Sequence, residues 1–361
     1  MSDAVNPSVR PTIEALPTYK AGKKAQAVDS FAPYKLSSNE IALEPLPSVV
    51  GVIAQAAREI NRYPDPFATE LMTALAHKLD VSTENIAIGT GSVGVCQQIV
   101  QAMVDAGDEV MFAWRSFEAY PIISSIAGAH SVQIPLLPDG SHDLDGMVAA
   151  LTPKTKVIFL CTPNNPTGNV ISQSKFDDFI VQVPSNVLVV IDEAYVEFNR
   201  DIEAVDGLAS MLAHPNVGIL RTFSKAYGLA ALRVGYFVGP KNIAAGVAKT
   251  AVPFGVSSIA QAAAVESLRC ENELLVRVEQ VTQQRLHCEE QLRALGVSLT
   301  ASQANFVWWP LGDRTDEFAQ LCTDNAIAVR AFSGEGVRIS IGEHEAMERL
   351  VNIVREFLAQ G

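Results

Sequence analysis

Seven short apolar runs rich in β-branched residues, at 86–88, 109–113, 131–134, 156–160, 187–191, 217–220 and 234–238, constrain this 361-residue chain most. Helical or turn-rich segments separate them. Several runs show no apolar–polar alternation, as expected of strands covered on both faces. The expectation is an α/β fold with a mostly parallel sheet packed between helices. Residues 256–295 then hold neither Gly nor Pro, and Leu274, Val278, Val281, Cys288, Leu292 and Leu295 recur at steps of three, four or seven. That spacing predicts one long helix with a single apolar face, ended by Gly296. Beyond it, 297–299, 306–308, 328–329 and 337–341 read as strands alternating with helical stretches, the last at 345–358. Pro7, Pro11, Pro17 and Pro33 break any period near the start. The predicted organisation is an arm at 1–34, a large domain at 35–255 and a small α+β domain at 256–361 joined by the arm.

The formal charge of −13 repels phosphate backbones and anionic headgroups, which argues against a nucleic-acid or membrane-surface partner. No run of about 18 apolar residues is present to span a membrane, and the first 40 residues lack the apolar stretch of a secretory signal. Five cysteines without a CxxC pair read as free thiols, which points to a cytoplasmic protein. The six histidines show no metal-ligand spacing, so no metal is expected.

Three strand ends carry the chemistry. The run at 156–160 breaks into Thr162-Pro163-Asn164-Asn165-Pro166-Thr167-Gly168, where the asparagines either serve the turn or face a ligand. The run at 187–191 leads into Asp192-Glu193-Ala194-Tyr195. Ligands in open α/β sheets sit outside the carboxyl ends of strands, so Asp192 is a site candidate, the alternative being a helix cap. The run at 217–220 leads into Arg221-Thr222-Phe223-Ser224-Lys225, with Arg233 eight residues on. A lysine among hydroxyl residues beside an arginine suits a Schiff-base lysine next to a phosphate pocket, although a single surface lysine is the plainer reading. Gly89-Thr90-Gly91-Ser92-Val93-Gly94 fits GxGxxG and opens a helix, offering backbone N–H groups to a phosphate. A dinucleotide reading wants an acid at the end of the next strand, where Phe112-Ala113-Trp114 stand instead.

An amine, a buried anion, hydrogen-bond donors and a cationic hydroxyl-lined cup are what pyridoxal 5'-phosphate requires. The strings NRYPD, TPNNPTG, IDEAY, TFSKAYGLAALR, QANFVW and VRISIG, in this order, resemble the class I and II aminotransferases. Within them the likeness is to the histidinol-phosphate aminotransferase branch and its aromatic amino acid aminotransferase relatives in actinobacteria. The resemblance implies fold type I and a homodimer with shared active sites. It implies Lys225 as the lysine that carries the cofactor and moves the proton. It also implies Asp192 against the pyridine nitrogen, Asn165 and Tyr195 at the phenolic oxygen, and Phe117 stacked on the ring. Thr222, Ser224, Arg233, Ser92 and the Val93 amide would hold the phosphate, joined by Tyr63 from the partner subunit. Arg338 would bind the substrate carboxylate, with Tyr19, Asn39 and Arg330 near the side-chain end of the pocket.

Two departures bear on substrate. Histidinol-phosphate enzymes usually carry Asn-Glu-Asn-Pro where this chain has Asn39-Glu40-Ile41-Ala42, and an acidic pair where it has Val93-Gly94. The expected reaction is therefore ping-pong transfer of an amino group between an amino acid and an aromatic 2-oxo acid of the phenylpyruvate type. Histidinol-phosphate transamination is the alternative. More distant readings are a lyase or decarboxylase on the same cofactor, a nicotinamide-dependent oxidoreductase using the glycine loop, and a non-catalytic binding protein.

Overall fold

The computed structural model describes residues 7–16, 18, 22, 24–28 and 31–360. Its strands are β1 Tyr34–Lys35, β2 Ile86–Gly89, β3 Glu109–Trp114, β4 His130–Pro135, β5 Thr155–Cys161, β6 Leu188–Asp192, β7 Val217–Thr222, β8 Gly235–Val238, β9 Phe306–Trp309, β10 Ile327–Ala328, β11 Arg330–Phe332 and β12 Gly336–Ser340. Seven form one sheet in the order β2-β8-β7-β6-β5-β3-β4. All neighbours run parallel except β8, which is antiparallel to both β2 and β7. All seven predicted runs are in this sheet.

The missing alternation has its cause in two apolar layers. Val157, Phe159, Leu188, Val190, Leu220 and Phe237 bury into one face beneath the helices Gly91–Met103 and Ala119–Ala127. Ile158, Leu160, Val189, Ile191, Ile219 and Val238 bury into the other. Cys161, Asp192 and Leu220 are register partners, so β5, β6 and β7 release their chains along one edge. β9, β11 and β12 make an antiparallel sheet in the order β11-β12-β9. β10 instead pairs in parallel with β1, Tyr34 opposite Ile327, which joins residues 34–35 to 327–328.

The chain departs from its sequence pattern in two places. The single helix expected at 256–295 is two, Ser258–Arg269 and Glu271–Ala294, broken at Cys270 with φ −96° and ψ 22°. The first packs on the helices Pro47–Ala56 and Thr69–Leu79, the second on the C-terminal helix His344–Ala359. A bend serves two packing partners without Gly or Pro. Residues 297–299 form no strand. Gly296, at φ +86°, turns the chain so that the Val297 N–H bonds the Leu292 carbonyl and caps the helix. Among the described residues no helix is long and apolar enough to cross a membrane.

Candidate active site

Where β5, β6 and β7 end, a cavity of about 250 Å³ opens toward the C-terminal sheet. Ser92, Val93, Phe117, Asn165, Asp192, Tyr195, Thr222, Ser224, Lys225 and Arg233 line it, together with Asn39, Arg330 and Arg338. Tyr63 lies elsewhere, 82% exposed and stacked on Phe254 at 4.6 Å. Tyr19 falls outside the described residues.

Asp192 is 3% exposed at the last position of β6. Its Oδ2 accepts from the Tyr120 hydroxyl at 2.6 Å and its Oδ1 from the Ala194 N–H at 3.3 Å. Burial pushes its pKa up to about 6, because both of these partners are neutral and do not offset the lost hydration. Such a carboxylate is set to face a cation. Tyr120 was not legible in the sequence, where it reads as part of an apolar helix. Its ring stacks on Phe159 at 4.7 Å, and Asp192 gives its buried hydroxyl the hydrogen-bond partner that a buried phenol needs.

Lys225 is half-buried, with its Nζ donating to the Ser38 carbonyl at 3.1 Å and lying 5.8 Å from the Tyr195 ring centre. Loss of hydration, reinforced by the Arg338 charge, lowers its pKa to about 7. The amine is thus substantially neutral, and nucleophilic, at physiological pH. Asn39 Nδ2 donates to the Tyr195 hydroxyl at 3.0 Å, which leaves the phenol its own hydrogen to donate. Burial also raises the Tyr195 pKa, so the group stays a neutral donor. Arg338 is clamped, Nη1 on Asn165 Oδ1 at 2.5 Å and Nη2 on the Ser37 carbonyl at 2.8 Å. Arg330 Nη2 meets Glu118 Oε2 at 2.6 Å.

The glycine loop has a steric basis. A Cβ on Gly91 would stand 2.2 Å from Arg233 Nη2, and one on Gly235 would stand 2.4 Å from the Ser92 nitrogen. Glycine therefore lets the arginine lie against the start of the helix Gly91–Met103. Arg233 Nη1 donates to Ser224 Oγ at 3.1 Å, and the Ser224 N–H donates to Thr222 Oγ1 at 3.1 Å. A helix N-terminus, a guanidinium and hydroxyls converge there, an arrangement that favours an anion.

Residues 33–354 match the family model for aminotransferase class I and II. The chain belongs to that family. It is 52% identical over 352 residues to the aromatic amino acid aminotransferase of Streptomyces coelicolor, covering 98% of each. To the enzyme of the same name from Mycobacteroides abscessus it is 49% identical over 334 residues, covering 92% of this chain and 94% of that one. Its fold matches the crystal structure of histidinol-phosphate aminotransferase from Sinorhizobium meliloti in complex with pyridoxal-5'-phosphate. That match has a TM-score of 0.87 and 29% identity over 99% of both chains.

Proposed function

We propose that this aminotransferase uses pyridoxal 5'-phosphate to pass an amino group from an amino acid donor to aromatic 2-oxo acids of the phenylpyruvate type. One observation carries the cofactor reading. A desolvated lysine, a buried carboxylate facing only neutral partners and an arginine on a helix N-terminus line one cavity. These match, group for group, the cofactor's aldehyde, ring nitrogen and phosphate. When bound, the cofactor supplies an electron sink for charge developing at the substrate α-carbon.

The chain's own residues supply the rest. Asp192 would hold the ring nitrogen protonated, and Tyr195, fixed by Asn39, would donate to the phenolic oxygen beside the Asn165 amide. Thr222, Ser224, Arg233 and the helix start at Ser92 and Val93 would hold the phosphate, and Phe117 would lie against the ring. Lys225, with a pKa near neutrality, takes the α-proton and returns it. Arg338, fixed by Asn165 and Ser37, presents a planar fork to the substrate carboxylate. Donor and acceptor use the same cavity in turn, which gives ping-pong kinetics.

The aromatic specificity is supported by the names of the relatives near 50% identity. Histidinol phosphate is the second reading, favoured by Arg330 at the cavity and by the likeness to the Sinorhizobium enzyme. The deciding experiment compares kcat/KM for phenylpyruvate and for histidinol phosphate under saturating co-substrate. A tenfold preference for histidinol phosphate overturns the aromatic reading.

The proposal includes a two-fold homodimer. Tyr63, Phe67, Val252 and Phe254 form an exposed apolar cluster that an isologous contact would cover.

A further inference from the structure

We infer that Glu118 is a specificity residue, which holds Arg330 in a neutral pair and so turns the pocket away from phosphomonoesters toward uncharged rings. This deepens the aromatic reading above and rests on it. Glu118 stands at the N-cap position of the helix Ala119–Ala127, and Arg330 begins β11 in the C-terminal sheet. Both side chains line the cavity, and their 2.6 Å ion pair leaves 12% of Arg330 and 28% of Glu118 exposed. The Arg330 guanidinium also lies 5.2 Å from the Phe332 ring centre. Its charge and one of its faces are therefore already engaged before any substrate enters.

The electrostatics follow from that pairing. A phosphomonoester reaching Arg330 brings about two negative charges beside the Glu118 carboxylate, a like-charge contact in a partly desolvated site. To be bound it must displace Glu118, which then loses its partner. A phenyl ring brings no charge, leaves the pair intact and can lie against the guanidinium plane. A cation that looks suited to phosphate is thus masked by its neighbour.

A second ion pair separates this role from simple docking of the two layers. Arg115 pairs with Glu335 between the same two segments, yet neither residue lines the cavity. If Glu118 only fastened the C-terminal sheet, Glu335 would do the same work.

The test uses the cofactor-loaded wild type, E118Q, E118A and E335Q. For each, kcat/KM is measured for histidinol phosphate and for phenylpyruvate, and calorimetry gives the Kd of phenyl phosphate, a non-reacting phosphomonoester. The expected result is a shift of at least tenfold in the substrate ratio toward histidinol phosphate in E118Q and E118A. Phenyl phosphate should bind at least fivefold more tightly to both, with E335Q within twofold of wild type throughout. An unmoved ratio and Kd in E118Q and E118A, with a wild type that prefers phenylpyruvate, overturns this inference alone. An equal shift in E335Q also overturns it, because layer docking then explains the effect. A wild type that itself prefers histidinol phosphate tenfold overturns the aromatic reading and this inference with it.

Discussion

Replacing Asp192 with asparagine should stabilise the protein without cofactor while disabling the enzyme with it. The carboxylate is buried, and its pKa rises from 3.8 to about 6 chiefly through desolvation. That difference corresponds to about 3 kcal/mol of penalty on the ionised form. Because folding raises this pKa, the cofactor-free protein loses stability as pH climbs from about 4 through 6 and then levels off. Asparagine has nearly the same shape, can still accept from Tyr120 and does not titrate. The variant's advantage should be near zero at pH 4 and about 3 kcal/mol at pH 8, or roughly 4 °C in thermal midpoint at this length. Thermal unfolding of cofactor-free wild type and D192N across that range measures it. With cofactor the sign reverses. An amide does not hold a protonated ring nitrogen, and kcat/KM should fall at least about 30-fold, or about 2 kcal/mol. Equal stability at pH 8, or a full advantage already present at pH 4, would refute the desolvation argument. Retained kcat/KM would leave Asp192 only its structural bonds to Tyr120 and Ala194.

Lys225→Ala should lower turnover by more than about 1,000-fold with an unchanged circular dichroism spectrum, since tether and proton carrier are lost together. Borohydride treatment followed by peptide mass mapping should fix the cofactor on Lys225 in the wild type and nowhere in the variant. Turnover near wild type would remove Lys225 from the mechanism. Tyr63→Ala should cost about tenfold in activity, the loss of one hydrogen bond to a charged group. Mixing Y63A with K225A subunits should then restore activity by forming one intact site per heterodimer. Full activity from a species sedimenting as a monomer would rule out shared sites.

The strand-end residues were legible because a buried parallel sheet leaves few freedoms. Continuous apolar runs identify β5, β6 and β7, their register aligns their ends, and whatever follows in sequence must face the same crevice. Asn165, Asp192, Tyr195 and Lys225 meet for that reason. The break at Cys270 was not legible, since the apolar spacing of the helix Glu271–Ala294 describes its face and says nothing about where the preceding residues must turn. Residues 297–299 misled for a related reason: a short apolar run is equally suited to capping a helix and to pairing as a strand. Glu118 and Tyr120 went unread because their significance lies wholly in their partners. Arg330 is 212 residues from the first and Asp192 is 72 from the second.

The segment 37–39 shows most directly how folding and chemistry share groups here. Largely buried and irregular, it must still pair its backbone, and several of the partners it finds are site residues. The Ser37 carbonyl accepts from Arg338 and the Ser38 carbonyl from Lys225. Asn39, 1% exposed with φ +55°, donates its N–H to Ser340 Oγ and accepts from that hydroxyl on Oδ1. Its carbonyl accepts from Asn305, and its side-chain amide donates one hydrogen to Tyr195. These bonds end on the C-terminal sheet, on the turn leading into it, or on a side chain proposed for the reaction. The departure from the Asn-Glu-Asn-Pro pattern begins only at Ile41, whose side chain packs against the core. The three residues that orient Lys225, Tyr195 and Arg338 lie before it. The chain thus departs from that pattern beyond Glu40 while the groups proposed to bind the amino acid carboxylate and to move the α-proton keep their supports.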